Sequence, residues 1–286
     1  MLSVLICTTG GGDLKQVVDI FRRETDVPLE IVIVVDNPKA DVAYFNELAA
    51  SDERLKMHVN PSNQGLTKSL NVGLRLATGD VIVRNDDDDI PTAQRLSKIY
   101  AHFQATSADF VYSFAEGKSE SNSSTWSIKG PIEGDQIVAA LRKRNFIVAS
   151  TVAYRRSRVV DIGGYCEPFR YAQDYELYLR SARHGLTFSC IPEQLIQRRY
   201  SADSITVAKR KKQALFSFAA RLMDISETGS LSDAARTILK YSVILLTPNS
   251  LRRLRRTIGR GRPSRPEAAI LANSKNVVGT WLAGLT

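Results

Sequence analysis

The strongest constraint on the fold is the regular exchange, over the first 90 residues, between short wholly apolar runs and amphipathic ones. Leu2–Cys7, the Ile31-Val32-Ile33-Val34-Val35 run within Glu30–Asp36, and Val81-Ile82-Val83 within Asp80–Arg84 read as buried strands. Each is short, continuous and bounded by polar residues. Between them lie helical spacings. Leu14, Val17, Val18 and Phe21 follow Asp13, a residue type that caps helices. Val42, Phe45, Leu48 and Ala49 mark a second helix, and Leu66, Leu70 and Leu74 a third that ends near Gly79. Leu55–Val59 alternates apolar and polar residues and is expected as a more exposed strand. A β-α-β-α-β-α-β order implies an α/β chain: a mostly parallel sheet with helices on both faces.

In such a sheet, ligands bind beyond the carboxyl ends of the strands. Three loops at that edge carry ligand-type residues. They are Thr8-Thr9-Gly10-Gly11-Gly12, Asp36-Asn37-Pro38, and the run Arg84-Asn85-Asp86-Asp87-Asp88-Asp89-Ile90-Pro91. Taken singly, each has a plain structural account: a flexible turn, a helix cap, a solvated acidic loop. Together they describe a nucleotide site better than three coincidences. Four adjacent carboxylates repel one another, and a hard divalent cation would relieve the repulsion. Extended backbone puts residues i and i+2 on one side. Asp86 and Asp88 are therefore expected to face one ligand, with Asp87 and Asp89 facing elsewhere. Pro91 is expected to open a helix through Leu96, Ile99, Tyr100 and Phe103. Gly-Gly-Gly-Asp is neither a dinucleotide fingerprint nor a P-loop.

Further along, Asp109–Phe114 and Thr151–Tyr154 read as strands, and Gly134–Arg144 as a helix. The Ser/Gly/Asn-rich stretch Glu116–Gly130 reads as a mobile loop over the site. Tyr171–His184 reads as a helix starting near Gln173-Asp174-Tyr175-Glu176. By position alone, Asp174 is a first-turn acid favoured by the helix dipole. Leu186–Cys190 and Glu193–Arg199 are expected as two short strands, Ser201–Ser204 as a turn. Helical spacing resumes from Lys209 and again from Leu231 to Pro248.

The formal charge of +9 is unevenly spread. Arg252, Arg253, Arg255, Arg256, Arg260, Arg262 and Arg265 lie together with no acid among them. With Leu251, Leu254 and Ile258 they suit an anionic membrane surface, or equally a terminal helix with its arginines in water. The three cysteines form no CxxC pair, and reduced cytosolic thiols are the simplest account. The apolar N-terminal run lacks a basic flank and a cleavage site, so it reads as a first strand rather than a signal peptide. No stretch nears the ~18 apolar residues of a spanning helix.

Several motifs occur in an order that carries a resemblance. They are Ser3-Val4-Leu5-Ile6-Cys7-Thr8; Val34-Val35-Asp36-Asn37-Pro38; Asn63-Gln64-Gly65-Leu66 with Leu70-Asn71-Val72-Gly73-Leu74; Ala77-Thr78-Gly79-Asp80; the acidic run; Arg144-Asn145-Phe146; Gly163-Gly164-Tyr165; and Gln173-Asp174-Tyr175-Glu176-Leu177. Over residues 1–205 the chain resembles the inverting family 2 glycosyltransferases with the GT-A (nucleotide-diphospho-sugar transferase, Rossmann-like) fold, of the bacterial exopolysaccharide, amylovoran-biosynthesis type. The resemblance implies a GT-A catalytic domain at 1–205, with a nucleotide-sugar-binding half at 1–115 and an acceptor half at 116–205. Residues 206–286 would form a helical, basic extension.

It also implies residue roles. Thr8 and Thr9 would line the base pocket and Asp36 would contact the nucleobase. Asn71 and Arg84 would shape the donor pocket. Asp86, Asp87 and Asp88 would be the DxD motif, with Asp86 near the ribose or sugar and Asp88 on Mn²⁺ or Mg²⁺. Arg198 or Arg199 would sit near the diphosphate, and Asp174 would be the catalytic base. The implied enzyme is metal-dependent. It moves a hexosyl or N-acetylhexosaminyl group from a nucleotide-sugar, UDP-linked by expectation, to a glycan or lipid-linked glycan acceptor in bacterial surface polysaccharide synthesis. It would be cytoplasmic and peripheral on the inner face of the cell membrane.

The chain departs from the family pattern at Thr9 and Gly10, where an aromatic and Asn are usual, and at Ala149 and Ser201, where His is usual. Asn85 and Asp87 replace frequent Met and Ala or Ser. Two other classes compete. A sugar-nucleotide nucleotidyltransferase would carry a basic residue after its Gly-rich loop, and here Asp13 follows. A non-catalytic glycan- or nucleic-acid-binding module leaves the paired acids unexplained, and nucleic acid is not an expected partner.

Overall fold

The computed structural model describes residues 1–11, 13–119, 123–200, 210–229 and 231–247. The expected turn at Ser201–Ser204 and the Arg-rich stripe from Leu251 lie outside the described residues. Two compact units divide the chain, Met1–Tyr241 and Ser242–Thr286, and the whole sheet lies in the first.

The first half follows the expected order: β1 (Leu2–Thr8), α1 (Leu14–Arg22), β2 (Leu29–Val35), α2 (Ala43–Ser51), β3 (Leu55–Val59), α3 (Leu66–Leu76) and β4 (Val81–Asp86). These four strands pair in parallel in the order β3-β2-β1-β4. Their apolar runs are continuous because both faces are covered. Val4, Ile6, Ile31, Ile33 and Val83 pack with Val17, Val18 and Phe21 of α1. On the opposite face, Leu5, Val32, Val34 and Ile82 pack with Leu70 and Leu74 of α3. The edge strand β3 is only partly buried, as its alternation implies.

The second half comprises β5 (Ile90–Pro91), α4 (Arg95–Ala105), β6 (Phe110–Ser119), β7 (Thr125–Ile128), α5 (Gly134–Leu141), a 3₁₀ turn at Ala149–Thr151, β8 (Val152–Arg155), α6 (Arg156–Asp161), α7 (Gln173–Arg183) and β9 (Phe188–Tyr200). Helices α8 (Arg210–Thr228) and α9 (Leu231–Leu246) follow. Strand β8 is antiparallel to both β4 and β6, so β6 runs the same way as β4. Strand β9 pairs parallel with β6. The carboxyl ends of β1, β2, β4, β6 and β9 therefore share one edge of the nine-stranded sheet.

Three expectations are corrected here. Pro91 does not open a helix. Ile90-Pro91 pairs antiparallel with Ile196–Gln197, and α4 begins at Arg95. Proline lacks an N–H, which a sheet edge tolerates. The two short strands expected at 186–199 form one, β9, because Pro192 and Glu193 bulge out of register between Ile191 and Gln194 without ending it. Most of Glu116–Gly130 is the β6–β7 hairpin, with Gly117 opposite Trp126.

Helix α8 closes over α7. Phe216 meets Phe169 and Tyr171 at ring separations of 5.8 and 5.6 Å. Buried Asp224 takes an ion pair from Arg221 of its own helix and lies 3.8 Å from both Arg142 and Arg183.

The amino-terminal edge of the sheet is latched by Glu30. Its carboxylate accepts from Ser3 Oγ at 2.6 Å, from Thr78 N at 2.6 Å and from Thr78 Oγ1 at 3.0 Å, and pairs with Lys56 at 2.6 Å. Burial alone would raise its pKa, but these donors outweigh it and hold the carboxyl at about 2. A depressed carboxylate stabilises the fold above its unfolded pKa and loses that contribution as pH falls through the folded value. Glu30→Gln is expected to cost on the order of 2 kcal/mol at neutral pH. Urea titrations should show the gap from wild type closing below about pH 4. A gap independent of pH would refute the latch.

Candidate active site

The site is built on the end of β4. Its register places Arg84 and Asn85 opposite Leu5 and Ile6 in the sheet interior, so both side chains are buried. The strand ends at Asp86, and residues 87–88 turn. Asn85 Nδ2 fixes that turn by donating to the carbonyls of Asp86 (2.7 Å) and Asp89 (2.9 Å). Beneath it lies Arg95, 0 % exposed. Its guanidinium donates to Asn85 Oδ1 at 2.9 Å, to the Arg84 carbonyl at 2.7 Å and to the Ser150 carbonyl at 2.5 Å. Ser150 Oγ accepts from the Asp86 N–H at 3.0 Å and donates to Asp89 Oδ2 at 2.6 Å.

Because the strand stops at Asp86, the expected alternation fails beyond it. Asp86, Asp88 and Asp89 each bring one carboxylate oxygen to a group lying within 4.8 Å of one another. Asp89, expected to face away, instead joins the cluster. Asp87 does turn away, accepting from Thr8 Oγ1 at 2.5 Å. Burial pushes Asp87 up to about 6, with Asp88 and Asp86 adding to the rise. Burial, then Asp86, pushes Asp89 up to about 7, while the Ser150 bond and the Arg198 charge pull it back. Three carboxylate oxygen donors this close together fit a hard divalent cation.

The loops after β1 and β2 are laced together. Gly10 has φ +93°, and a Cβ there would stand 2.6 Å from that of Ala40, so only glycine fits. Thr8 Oγ1 also accepts from Gly10 N at 2.9 Å. Thr9 is exposed, and its carbonyl accepts from Asn37 Nδ2 at 3.0 Å. Asp36 is buried at the start of α3. Its carboxylate accepts from Asn60 Nδ2 (2.8 Å), Gln64 N (2.8 Å) and Gly65 N (2.7 Å). Asn71 clamps the Tyr165 backbone, donating to its carbonyl and accepting from its N–H, both at 2.9 Å.

Arg84 is the charged floor of the site, 1 % exposed and 2.9 Å from Asp86. Burial opposes its charge, yet Asp86, Tyr165 and Asp174 around it hold it protonated. Asp174 stands in the first turn of α7, behind Ala172 in the left-handed conformation (φ 55°). Burial pushes its carboxyl up to about 6; Arg84 opposes the rise and Asp86 adds to it. Asp174 is thus electrically coupled to the same arginine and the same aspartate as the acidic turn. On β9, Arg199 pairs with Asp13 and donates to Gln16 Oε1 at 3.3 Å. Its neighbour Arg198 is the one whose charge reaches Asp89.

Residues that sequence reasoning missed are Asp89, Ser150, Arg95 and Asn60. Asp89 lies within the acidic run, but strand alternation assigns it to the wrong side. The others carry no signal of their own, because a lone buried Ser, Arg or Asn is recognised only by what it touches.

An α/β sheet with a carboxylate turn at its carboxyl edge is the arrangement of the GT-A-type glycosyltransferases. The chain belongs to glycosyl transferase family 2, whose sequence profile matches residues 3–163. Among curated relatives, the amylovoran biosynthesis glycosyltransferase AmsE of Erwinia amylovora is 26 % identical over 199 residues, covering 68 % of this chain and 73 % of that one. The Escherichia coli UDP-Gal:alpha-D-GlcNAc-diphosphoundecaprenol beta-1,3-galactosyltransferase is 26 % identical over 203 residues, covering 69 % and 71 %. Among solved structures, S. aureus TarS 1-349 in complex with UDP-GlcNAc aligns with a TM-score of 0.66 at 14 % identity, over 84 % of this chain and 71 % of that one. The mannosyltransferase PcManGT of Pyrobaculum calidifontis, in complex with GDP-Man and Mn2+, gives 0.62 at 18 % identity, over 96 % and 79 %.

Ser150→Ala removes the hydroxyl that joins Asp86 to Asp89. A change behind a metal's ligands typically weakens its binding ~10–100-fold. We expect the Mn²⁺ concentration giving a half-maximal rise in Tm to increase by about that factor. An unchanged midpoint would remove Ser150 from the site.

Proposed function

We propose that the chain is a metal-dependent, inverting glycosyltransferase that moves a sugar from a UDP-sugar to an acceptor hydroxyl. The supporting observation is the Arg84–Asp86 ion pair at the end of β4, together with the charges of both residues acting on Asp174. The acids come from distant parts of the chain and sit on different elements, as opposite sides of one donor pocket require. Asp86, Asp88 and Asp89 would hold Mn²⁺ or Mg²⁺. That ion, as a Lewis acid, would neutralise charge building on the departing diphosphate.

The chain's own residues do the rest. Asp174 accepts the proton of the attacking hydroxyl as the bond to the anomeric carbon forms. Asp174 lies across the ring from the leaving group, so attack is in line and the anomeric configuration inverts. Arg84 keeps Asp174 ionisable despite its burial and holds Asp86 in place. Asp36 Oδ2 takes one protein N–H and retains acceptor capacity for a nucleobase N–H, beside Thr8 and Thr9. Asn71 shapes the pocket by fixing the Tyr165 turn. Asp87 steadies the loop after β1 through Thr8. Arg198 or Arg199, adjacent on β9, would sit near the diphosphate, with Arg199 steadied by Asp13.

A UDP-sugar is favoured by the UDP-GlcNAc bound in the S. aureus structure and by the name of the E. coli relative. A lipid-linked surface glycan as acceptor is favoured by the relatives' names. We place the work at the inner membrane face, with 206–286 as a basic helical extension of the catalytic domain.

Asp174→Asn is expected to lower kcat by ~10²–10⁴ while the KM for the donor changes little. A wild-type kcat/KM that rises with pH should do so at or below the Asp174 value of about 6, because a cation beside Asp86 favours the ionised base. UDP release from UDP-galactose and UDP-N-acetylglucosamine, with and without EDTA, measures both. Pyrophosphate release from UTP, with no turnover of UDP-sugars, would instead indicate a nucleotidyltransferase. Deleting 250–286 should abolish salt-sensitive binding to phosphatidylglycerol vesicles; undiminished binding would refute the membrane role.

A further inference from the structure

Two aromatic rings, Trp126 of β7 and Tyr200 of β9, take no part in the proposed chemistry. Gly117, Trp126 and Arg198 stand opposite one another on three adjacent strands, and Ser119 stands opposite Tyr200. A Cβ at Gly117 would lie 2.3 Å from the Trp126 ring, so the indole rests directly on bare backbone. The Trp126 and Tyr200 rings meet at 5.0 Å with a 47° tilt. The Arg198 guanidinium lies 4.8 Å over the Tyr200 ring. Trp126 and Tyr200 both remain partly exposed. Below them the same sheet region is closed by the small apolar cluster Ala115, Val148 and Ile196, so the rings are not needed to seal the core.

Their position relates them to the acidic turn. Strands β6 and β9 run in the direction of β4, so residues 117–119 and 198–200 emerge at the same sheet edge as Asp86–Asp89. Strand β5, which leads out of the acidic turn, pairs with β9 at Ile196–Gln197, immediately before Arg198. Two residues of extended strand carry the chain about 7 Å further, to Tyr200.

The geometry points to Trp126 and Tyr200, seated on Gly117, as a stacking platform for a sugar ring of the acceptor glycan. This rests on the transferase reading above. A pyranose has an apolar face of C–H bonds and a rim of hydroxyls. Its apolar face suits the electron-rich face of an aromatic ring, while the neighbouring guanidinium can donate to rim hydroxyls. Aromatic side chains also lose little conformational freedom on binding. An apolar peptide would gain from the rings but not from Arg198, and a nucleobase would meet a site already separate from the Asp36 pocket.

Trp126 can report on itself, since the chain has two tryptophans and Trp281→Phe leaves it alone. With Mn²⁺ and UDP present, titration with cellobiose, lactose and chitobiose is expected to give a saturable shift of Trp126 emission for at least one. In transfer assays from UDP-galactose and UDP-N-acetylglucosamine, Trp126→Ala should raise the ratio of acceptor KM to donor KM at least tenfold, and Trp126→Phe should restore most of it. Gly117→Ala, which displaces the indole while keeping it, should move the ratio the same way and guards against a fold defect in Trp126→Ala. No saturable shift with any disaccharide, or an unmoved ratio in both variants, overturns the platform. A disaccharide that binds at Trp126 in a chain releasing no UDP would overturn the transferase reading and leave the platform standing.

Discussion

A single buried guanidinium holds the working end of the molecule together. Arg95 has no contact with solvent and donates to three groups from two parts of the chain: the Arg84 carbonyl and the Asn85 side chain at the end of β4, and the Ser150 carbonyl in the 3₁₀ turn before β8. Burial pulls its pKa down to about 9, and the nearby Asp89 charge opposes that fall. A buried cation is tolerated when an opposite charge is close and its donors are engaged; here both terminal guanidinium nitrogens are, while Nε is not. Here those same bonds determine where Asp86, Asp88 and Asp89 can stand. The acids repel one another, and the scaffold beneath them keeps the turn from opening.

The sheet performs two tasks at its two edges. At the amino edge, Glu30 gathers Ser3, Lys56 and Thr78 and pins β1, β2, β3 and the start of β4 in register. At the carboxyl edge, the strands end in polar loops with little apolar contact to hold them. Asp36 there anchors the start of α3 through backbone N–H groups, and Thr8 ties the first loop to Asp87. A rigid base thus supports a set of short loops, the arrangement expected of a site placed beyond the strands of an α/β sheet. The mixed half of the sheet adds a second set of ends. Because β8 runs against both of its neighbours, β6 and β9 also deliver their last residues to this edge, and α7 delivers Asp174.

Much of this organisation is legible in the chain. The apolar runs and their helical partners give the order of the first half, because periodicity records which faces are buried. The acidic run marks the site because four like charges have no structural reason to adjoin. What fails is local. Alternation assigns Asp89 to the wrong side, since it assumes that β4 continues past Asp86. Proline suggests a helix start at Pro91, and two short strands are expected at 186–199, whereas pairing with β9 absorbs the first and a bulge at Pro192 joins the second pair into one strand. The hairpin at Thr125–Ile128 is hidden in a segment whose composition suggests a loop, although its strand pairing and the bare backbone at Gly117 define it clearly in the fold.

The amino-acid sequence by itself determined the strand–helix alternation, the edge at which a ligand would sit and the charge that would meet it, because hydrophobic period and like-charge repulsion are properties of neighbouring residues. Only the tertiary structure decided which three acids converge, that Ser150 and Arg95 hold the turn that carries them, and that Asp174 is buried within reach of the charges of Arg84 and Asp86. Those facts depend on contacts between residues separated by tens of positions, and on burial that sets each carboxylate's affinity for its proton, and no local pattern carries either.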